Sequence, residues 1–189
     1  MDLMDEATQF AVQVFHGKKR KASGLPAVFH SIEAAEIVSE LTTDEQTRAA
    51  AVLHDTVEDA GVTIEQIREK FGARVAELVA AETENKREHA DPGATWMVRK
   101  QEAIEFLRHT DDIAVKQIFL GDKLSNIRSF YQLKKSEGAD MWRYFNQKDP
   151  EMHHWYYRTI ADLLADLKET GPYKEYSELI SRVFEEGET

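Results

Sequence analysis

Apolar residues recur every three or four positions along most of this chain, which is the spacing of one face of an α-helix. The alternation of apolar and polar residues that marks a half-buried strand is nearly absent. The pattern therefore predicts an all-α protein, a single helical bundle of about eight to ten helices. The predicted helices cover approximately residues 3–15, 28–37, 43–55, 63–72, 75–79, 94–107, 113–133, 151–168 and 173–184.

Residues with capping or turn chemistry separate these helices. Asp44 can accept a hydrogen bond from the first free N–H groups of the third helix, and Thr63 with Gln66 has the spacing of a capping box. Polar loops are expected at 16–26 and 82–93, and a turn at 136–140. Because no repeat, low-complexity segment or linker interrupts the chain, we expect one domain over residues 1–189, with residues 136–189 forming C-terminal helices.

Composition narrows the class of protein. The chain has 189 residues, 42% of them apolar, which is enough for one compact core. It has no cysteine, which excludes disulfides and thiolate zinc sites. No apolar run approaches the roughly 18 residues of a membrane span, and residues 1–15 do not have the pattern of a signal peptide. A cytoplasmic protein with no membrane partner is the prediction.

The net charge of −11 argues against a nucleic-acid partner, because affinity for a duplex depends mainly on cationic contacts to phosphate. A polyanionic small ligand would need a local exception to this acidic background. The four consecutive cations of Lys18–Lys21 are such an exception. Runs of this kind are more often solvated surface, so the run alone leaves both interpretations open.

A concentration of ionisable groups begins at His54 and Asp55, which follow a buried-looking apolar run. Glu58 and Asp59 come four residues after them, so a continued helical turn would direct all four side chains into one small volume. Three acids so close together would repel one another strongly without a cation. The pattern favours a metal site, although an acidic surface turn capped by His54 remains the alternative.

One His-Asp pair does not complete a metal site, so further ligands must come from elsewhere in the chain. His30 lies within an apolar helix, where a lone histidine is more often a packed core residue. Asp122 is flanked by Leu120 and Leu124, which indicates that it faces inward, where an unpaired carboxylate would be costly. These two residues are the remaining candidates.

The set His30, His54-Asp55 and Asp122 resembles the ligand order of the HD-domain metal-dependent phosphohydrolases. The loop at 16–26, the string His54–Asp59 and the stretch Asp122–Arg128 resemble more narrowly the RelA/SpoT-type (p)ppGpp hydrolase domain. This similarity extends over about residues 7–130, and no nucleotidyl-synthetase region follows it. The chain looks like a small stand-alone alarmone hydrolase.

The resemblance implies an enzyme that hydrolyses the 3′-pyrophosphate of a purine nucleotide alarmone such as ppGpp, releasing pyrophosphate with a metal-bound water as the nucleophile. It implies one divalent metal, most simply Mn²⁺, held by His30, His54, Asp55 and Asp122. Glu58 and Asp59 are not needed as ligands and lie one turn away, so we expect these two catalytic residues to orient and deprotonate the water, with Glu58 as the base. The substrate-binding candidates that the resemblance implies are Arg20, Lys21, Ser23, Lys86, Asn126, Arg128 and Tyr156.

Departures from the family pattern between Lys21 and Ala27 and at Ser31 leave the base preference open. The alternatives are therefore an HD phosphohydrolase acting on another nucleotide, such as ppApp, NADPH or a 5′-nucleotide, and a module that binds alarmones without cleaving them. Asn126 is expected either to bind the ribose or to hold Asp122, and Arg128 either to pair with a carboxylate or to touch substrate. The sequence carries no signal for the oligomeric state.

Overall fold

The computed structural model describes residues 2–87 and 89–185. Within these two segments the chain forms α-helices and no β-strand, which confirms the predicted all-α class. None of the helices described has both the length and the apolar composition needed to cross a membrane. The α-helices are α1 (Leu3–Val14), α2 (Val28–Leu41), α3 (Glu45–Leu53), α4 (Thr56–Ala60), α5 (Ile64–Phe71), α6 (Ala73–Glu82), α7 (Trp96–His109), α8 (Ile113–Glu137), α9 (Pro150–Leu163) and α10 (Gly171–Ile180).

The predicted helix caps are present. The Asp44 side chain accepts a hydrogen bond from the Thr47 N–H at 2.8 Å. Thr63 and Gln66 exchange both hydrogen bonds of a capping box, so that prediction is confirmed as well. The expected turn at 136–140 differs in detail, because α8 runs to Glu137 and a 3₁₀ segment begins directly at Gly138.

The third helix ends at Leu53 rather than continuing through the His-Asp pair. His54 and Asp55 occupy a turn between α3 and α4. Two side chains donate hydrogen bonds to backbone carbonyl groups in the last turn of this helix. His54 Nδ1 donates to the Ala51 carbonyl at 2.8 Å, and the Thr56 hydroxyl donates to the Leu53 carbonyl at 2.7 Å. The break keeps both side chains of the pair pointing toward α2 and α8.

Helix α3 lies at the centre of the bundle and packs against α1, α2, α6 and α8. Its three consecutive alanines, 49–51, are fully buried, because small side chains allow neighbouring helices to approach from several sides. The first half of α8 is buried on nearly all faces, which explains why it lacks a polar stripe between Ala114 and Leu124.

Gly121 sets the contact between α2 and α8. A Cβ atom at this position would lie 2.8 Å from the Ala34 carbonyl oxygen and 2.8 Å from a Val38 methyl carbon. The two helices can therefore come this close only with glycine at position 121. His30 is one turn before Ala34, and Asp122 is next to Gly121, so the close approach brings these two side chains together.

A second packing centre lies where α7, α8 and α9 meet. His153 stacks on Trp142 with ring centroids 4.9 Å apart and meets Trp96 edge-on at 5.3 Å. Phe130 and Phe145 close the same group, which we call the aromatic cluster. His153, Tyr156 and Tyr157 are thus buried on the packing face of α9, as their helical spacing with Ile160 indicates, whereas Trp155 is exposed.

Candidate active site

Four side chains that the sequence singled out as ligands meet at one point. His30 comes from α2, His54 and Asp55 from the turn after α3, and Asp122 from α8. The Nε2 atom of His30 is 2.9 Å from Asp122 Oδ1 and 3.2 Å from His54 Nε2. Asp55 Oδ2 is 3.3 Å from His54 Nε2 and 3.5 Å from His30 Nε2. Two nitrogens and two carboxylates therefore face one small volume, which we call the metal cluster.

The hydrogen bonds behind the two imidazoles fix which ring nitrogen carries the proton. The Ala51 carbonyl can only accept, so His54 carries its proton on Nδ1. The Ser125 hydroxyl donates to Glu33 at 2.6 Å and therefore accepts from His30 Nδ1 at 2.8 Å. Both Nε2 atoms thus turn a lone pair toward the carboxylates, an arrangement that fits a divalent cation.

The electrostatics of the cluster favour positive charge. Burial alone would lower the pKa of His54, but Asp55 and Asp122 raise it well above its ordinary value. Burial would raise the pKa of Asp122, but Lys123 and the two histidines hold it well below its usual range. The same attraction that would hold a proton here would hold a metal ion, and the nitrogen and oxygen donors suit Mn²⁺, Fe²⁺, Co²⁺ or Zn²⁺.

Asp122 is held from two sides. The side-chain amide of Asn126, one turn later on α8, donates to Asp122 Oδ1 at 2.6 Å, and the Arg20 guanidinium donates to Asn126 Oδ1 at 2.8 Å. Lys123 forms an ion pair with the other oxygen of Asp122 and lies 3.8 Å from the buried Glu82. The sequence pattern does not predict that Lys123 and Glu82 belong to this site; the one signal for it is a lysine inside the apolar run of α8.

Glu58 and Asp59 lie on α4 beside the metal cluster. Glu58 Oε2 accepts the N–H of Glu84 at 3.2 Å, and Lys86 lies 3.4 Å from Glu58 Oε1 while forming an ion pair with Asp59. Burial, together with Asp55 and Glu84, raises the pKa of Glu58 to about 7. A carboxylate with this pKa can accept and release a proton near neutral pH, as a general base must.

The irregular segment 83–87, which follows α6, contacts Glu58 and is itself attached to α7 by ion pairs. The carboxylate of Glu84 pairs with Arg99 at 2.7 Å and with Lys100 at 2.6 Å. These ion pairs fix the segment 83–87 so that the Glu84 N–H and the Lys86 ammonium both face α4. Lys86, which could equally have been a solvated surface residue, thus lies at the site.

A cavity of about 1420 Å³ opens from Asp55, Glu58 and Asp59 toward the C-terminal helices. The basic run forms one wall of it, on a short loop closed by hydrogen bonds from the Arg20 N–H to the Leu25 carbonyl and from the Ala27 N–H to the Lys18 carbonyl. Gly24 has a φ of +67°, which completes the turn. Arg20, Lys21 and Ser23 all line the cavity, as do Lys86, Asn126 and Arg128.

Two predicted substrate contacts are placed differently from the rest. Arg128 lines the cavity, but its guanidinium donates to Glu175 at 2.7 Å through two nitrogens and to Glu33 at 3.1 Å. Tyr156 is buried between Trp96 and the ammonium of Lys100 and does not line the cavity. The neighbouring Tyr157 does, because adjacent residues on a helix point about 100° apart.

An all-α bundle whose α2, α8 and interhelical turn supply a buried His, His-Asp and Asp set defines a class of metal-binding helical domains. A family model described as the HD domain matches residues 7–147, so this chain belongs to the HD-domain family. HD domains bind a divalent metal, and His30, His54 and Asp122 form a candidate site that could hold one here.

Solved structures share the fold. A crystal structure of the protein lmo0812 of Listeria monocytogenes EGD-e is 31% identical, has a TM-score of 0.72, and matches 83% of this chain and 99% of its own. The structure of a metazoan orthologue of SpoT, described as hydrolysing ppGpp, has a TM-score of 0.75 at 24% identity. It covers 96% of this chain and 95% of its own, and at that identity it supports the fold alone.

Curated relatives are much longer proteins. A guanosine-3′,5′-bis(diphosphate) 3′-pyrophosphohydrolase of Aquifex aeolicus is 31% identical over 134 residues, covering 71% of this chain and 18% of its own length. A putative GTP diphosphokinase, RSH1, of Arabidopsis thaliana is 34% identical over 136 residues, covering 68% of this chain and 15% of its own length. This chain thus spans less than a fifth of these relatives.

Proposed function

We propose that this protein is a metal-dependent hydrolase that removes the 3′-pyrophosphate of a purine nucleotide alarmone such as ppGpp. The observation that carries the proposal is the metal cluster at one end of a cavity that is also lined by Glu58, Asp59 and several basic side chains, among them Arg20, Lys21 and Lys86. The relative of Aquifex aeolicus that is named for this reaction supports the choice of substrate class. The metal would be Mn²⁺, held by His30, His54, Asp55 and Asp122.

A divalent cation at this position would lower the pKa of a water and offset the charge that develops on a phosphoryl oxygen. The protein's own groups would do the rest. Glu58, whose pKa is raised to about 7 by burial, would take a proton from the attacking water. Asp59 would orient that water, since its carboxylate is held by Lys86. The bond between the 3′ oxygen and phosphorus would break, and the nucleotide would keep a 3′-hydroxyl.

Substrate would lie along the cavity wall formed by the basic loop. Arg20 and Lys21 would meet the phosphates or stack on the base, because guanidinium and ammonium groups suit polyanions. Lys86 would contact the pyrophosphate beside Glu58, and Asn126 would hold Asp122 through the hydrogen bond described above. The ring of Tyr157 and the side chain of Phe145 offer apolar surface for a purine farther along the same cavity.

The test is pyrophosphate release from ppGpp, with ppApp and NADPH alongside, in Mn²⁺ and in EDTA. We expect Mn²⁺-dependent pyrophosphate from an alarmone and none in EDTA. Orthophosphate as the only product would contradict the 3′-pyrophosphohydrolase and indicate another phosphatase reaction. Stabilisation by ppGpp without turnover in excess Mn²⁺ would instead indicate an alarmone-binding module.

The metal and the location are parts of this proposal with their own tests. Ligand chemistry alone does not select Mn²⁺ over Fe²⁺, Co²⁺ or Zn²⁺, so turnover should be compared across these ions after EDTA treatment. We expect Mn²⁺ to give the highest kcat/KM. We expect the protein to act in the cytoplasm, which fractionation of cells that express it would check.

A further inference from the structure

A continuous chain of hydrogen bonds runs from the metal cluster to helix α10. His30 Nδ1 donates to the Ser125 hydroxyl at 2.8 Å, and Ser125 donates to Glu33 Oε2 at 2.6 Å. The other oxygen of Glu33 accepts from Arg128 at 3.1 Å. Arg128 then donates through Nε and a second terminal nitrogen to both oxygens of Glu175, each at 2.7 Å. Three helices, α2, α8 and α10, therefore contribute to one chain that ends on a metal ligand.

The direction of every bond in this chain is fixed by its chemistry. A carboxylate only accepts and a guanidinium only donates, so the single hydroxyl proton of Ser125 must go to Glu33. Ser125 is fully buried, which leaves its oxygen free to accept only from His30. The proton of His30 is thereby held on Nδ1 and its Nε2 lone pair on the metal side.

We propose that Glu33 and Ser125 are positioning residues that set the affinity of the metal cluster for its ion, and that Arg128 and Glu175 extend this control to α10. Partners behind a ligating histidine orient the ring and increase its basicity, and their loss typically costs about 10- to 100-fold in metal affinity. This inference rests on the proposed metal-dependent function. It also gives Arg128 a role as the link between two carboxylates.

The competing explanation is that these ion pairs only attach α10 to the bundle. In that case their removal would lower the free energy of unfolding of the metal-free protein but leave its metal affinity unchanged. The two explanations therefore separate when metal binding and unfolding are measured on the same variants.

The experiment measures the Kd for Mn²⁺ of the full chain by calorimetry, after EDTA treatment and without substrate. The variants are Glu33→Gln, Ser125→Ala and the double variant, with Glu36→Gln as control. Glu36 is an exposed glutamate one turn farther along α2, so this control makes the same change of charge on the same helix.

We expect Ser125→Ala to weaken Mn²⁺ binding by about 10- to 100-fold and Glu33→Gln by less, because glutamine can still accept from Ser125. The Glu36→Gln control should bind as the wild type does. If Glu33 acts through Ser125, the double variant should bind no more weakly than Ser125→Ala alone.

Three outcomes would overturn the inference. One is a Glu33→Gln variant whose Kd matches the control while its metal-free form unfolds more readily. The second is full additivity of the two losses, which would mean that Glu33 does not act through Ser125. The third is a wild-type chain that binds no divalent ion. By contrast, a wild type that binds Mn²⁺ but releases no pyrophosphate would refute the proposed reaction and leave the Kd comparison valid.

Discussion

Two regions of the molecule bury histidine equally deeply and in opposite surroundings. In the metal cluster, His30 and His54 are 5% and 2% exposed and face Asp55 and Asp122. In the aromatic cluster, His153 is also 5% exposed, but its neighbours are the rings of Trp96, Phe130, Trp142 and Phe145. Its Nε2 forms a hydrogen bond of 3.1 Å with the Gln147 carbonyl.

The pKa values of these residues separate in consequence. Desolvation acts on His54 and His153 alike, but carboxylates raise the pKa of His54 well above its ordinary value. At His153 desolvation dominates and lowers the pKa to about 4. Burial of a histidine therefore says little about function. The useful signals are which atoms face the free ring nitrogen and whether the other nitrogen is held by an acceptor.

The largest effect should come from removing a carboxylate of the metal cluster. In Asp122→Ala or Asp55→Ala, we expect loss of the bound divalent ion and of detectable turnover, because the cluster would lose one of its two carboxylate ligands and each imidazole one of its two charged partners. Metal content by elemental analysis and pyrophosphate release measure the two consequences. Asp162→Ala, which removes an exposed carboxylate on α9, is the control and should keep both. A fully active, metal-loaded Asp122→Ala variant would refute the cluster as the catalytic centre.

Glu58→Gln should separate metal binding from proton transfer. We expect this variant to keep its metal ion and to lose about 10²- to 10⁴-fold in kcat, the usual contribution of a general base. The Glu36→Gln control should be unaffected. Absence of metal from the purified Glu58→Gln protein would show that Glu58 is a ligand rather than a base.

The wild-type pH profile checks the same assignment. The pKa of Glu58 is raised to about 7 by burial, and only the ionised form can accept a proton, so kcat/KM should rise as the pH increases toward 7. A bound cation would lower this pKa, which moves the rising limb to lower pH. The rising limb should disappear in Glu58→Gln. An identical limb in that variant would assign the titration to another group.

Gly121→Ala tests the geometry that joins α2 to α8. The added methyl group would lie 2.8 Å from a backbone oxygen, so the helices must separate, at a cost of about 1–3 kcal/mol in the free energy of unfolding. Because His30 and Asp122 lie on either side of this contact, Mn²⁺ affinity should also fall. Gly171→Ala is the matched control, since nothing lies within 4 Å of a Cβ atom there. Equal stability of the two variants would refute the argument.

The sequence could predict the residues of the metal cluster but not the contacts that support them. Periodicity gave the helices, and the ionisable groups at His54–Asp59 stood out because charge is costly in an apolar setting. The end of α3 before His54 depends on side chains that donate to the last backbone carbonyls of the helix. The spacing of apolar residues gives no information about such hydrogen bonds. Ser125 and Glu33 lie 92 residues apart, and only the packing of α2 on α8 makes them partners. Tyr157 instead of Tyr156 at the cavity is likewise decided by the rotation of α9.

The smallest of the expected effects should appear at His153, the buried histidine of the aromatic cluster. A histidine with a folded pKa of about 4 and an ordinary unfolded value stabilises the fold fully above pH 6.5 and loses that contribution as the pH falls toward 4. Between pH 7 and pH 5 the wild type should lose about 2 kcal/mol from this source. The His153→Phe variant has an aromatic ring that cannot take a proton, so this part of the pH dependence of the free energy of unfolding should vanish. Urea unfolding of both metal-free proteins at the two pH values measures the difference. An equal pH dependence in the two proteins would mean that the pKa of His153 is the same in the folded and unfolded states, and that its surroundings are less apolar than the rings around it indicate.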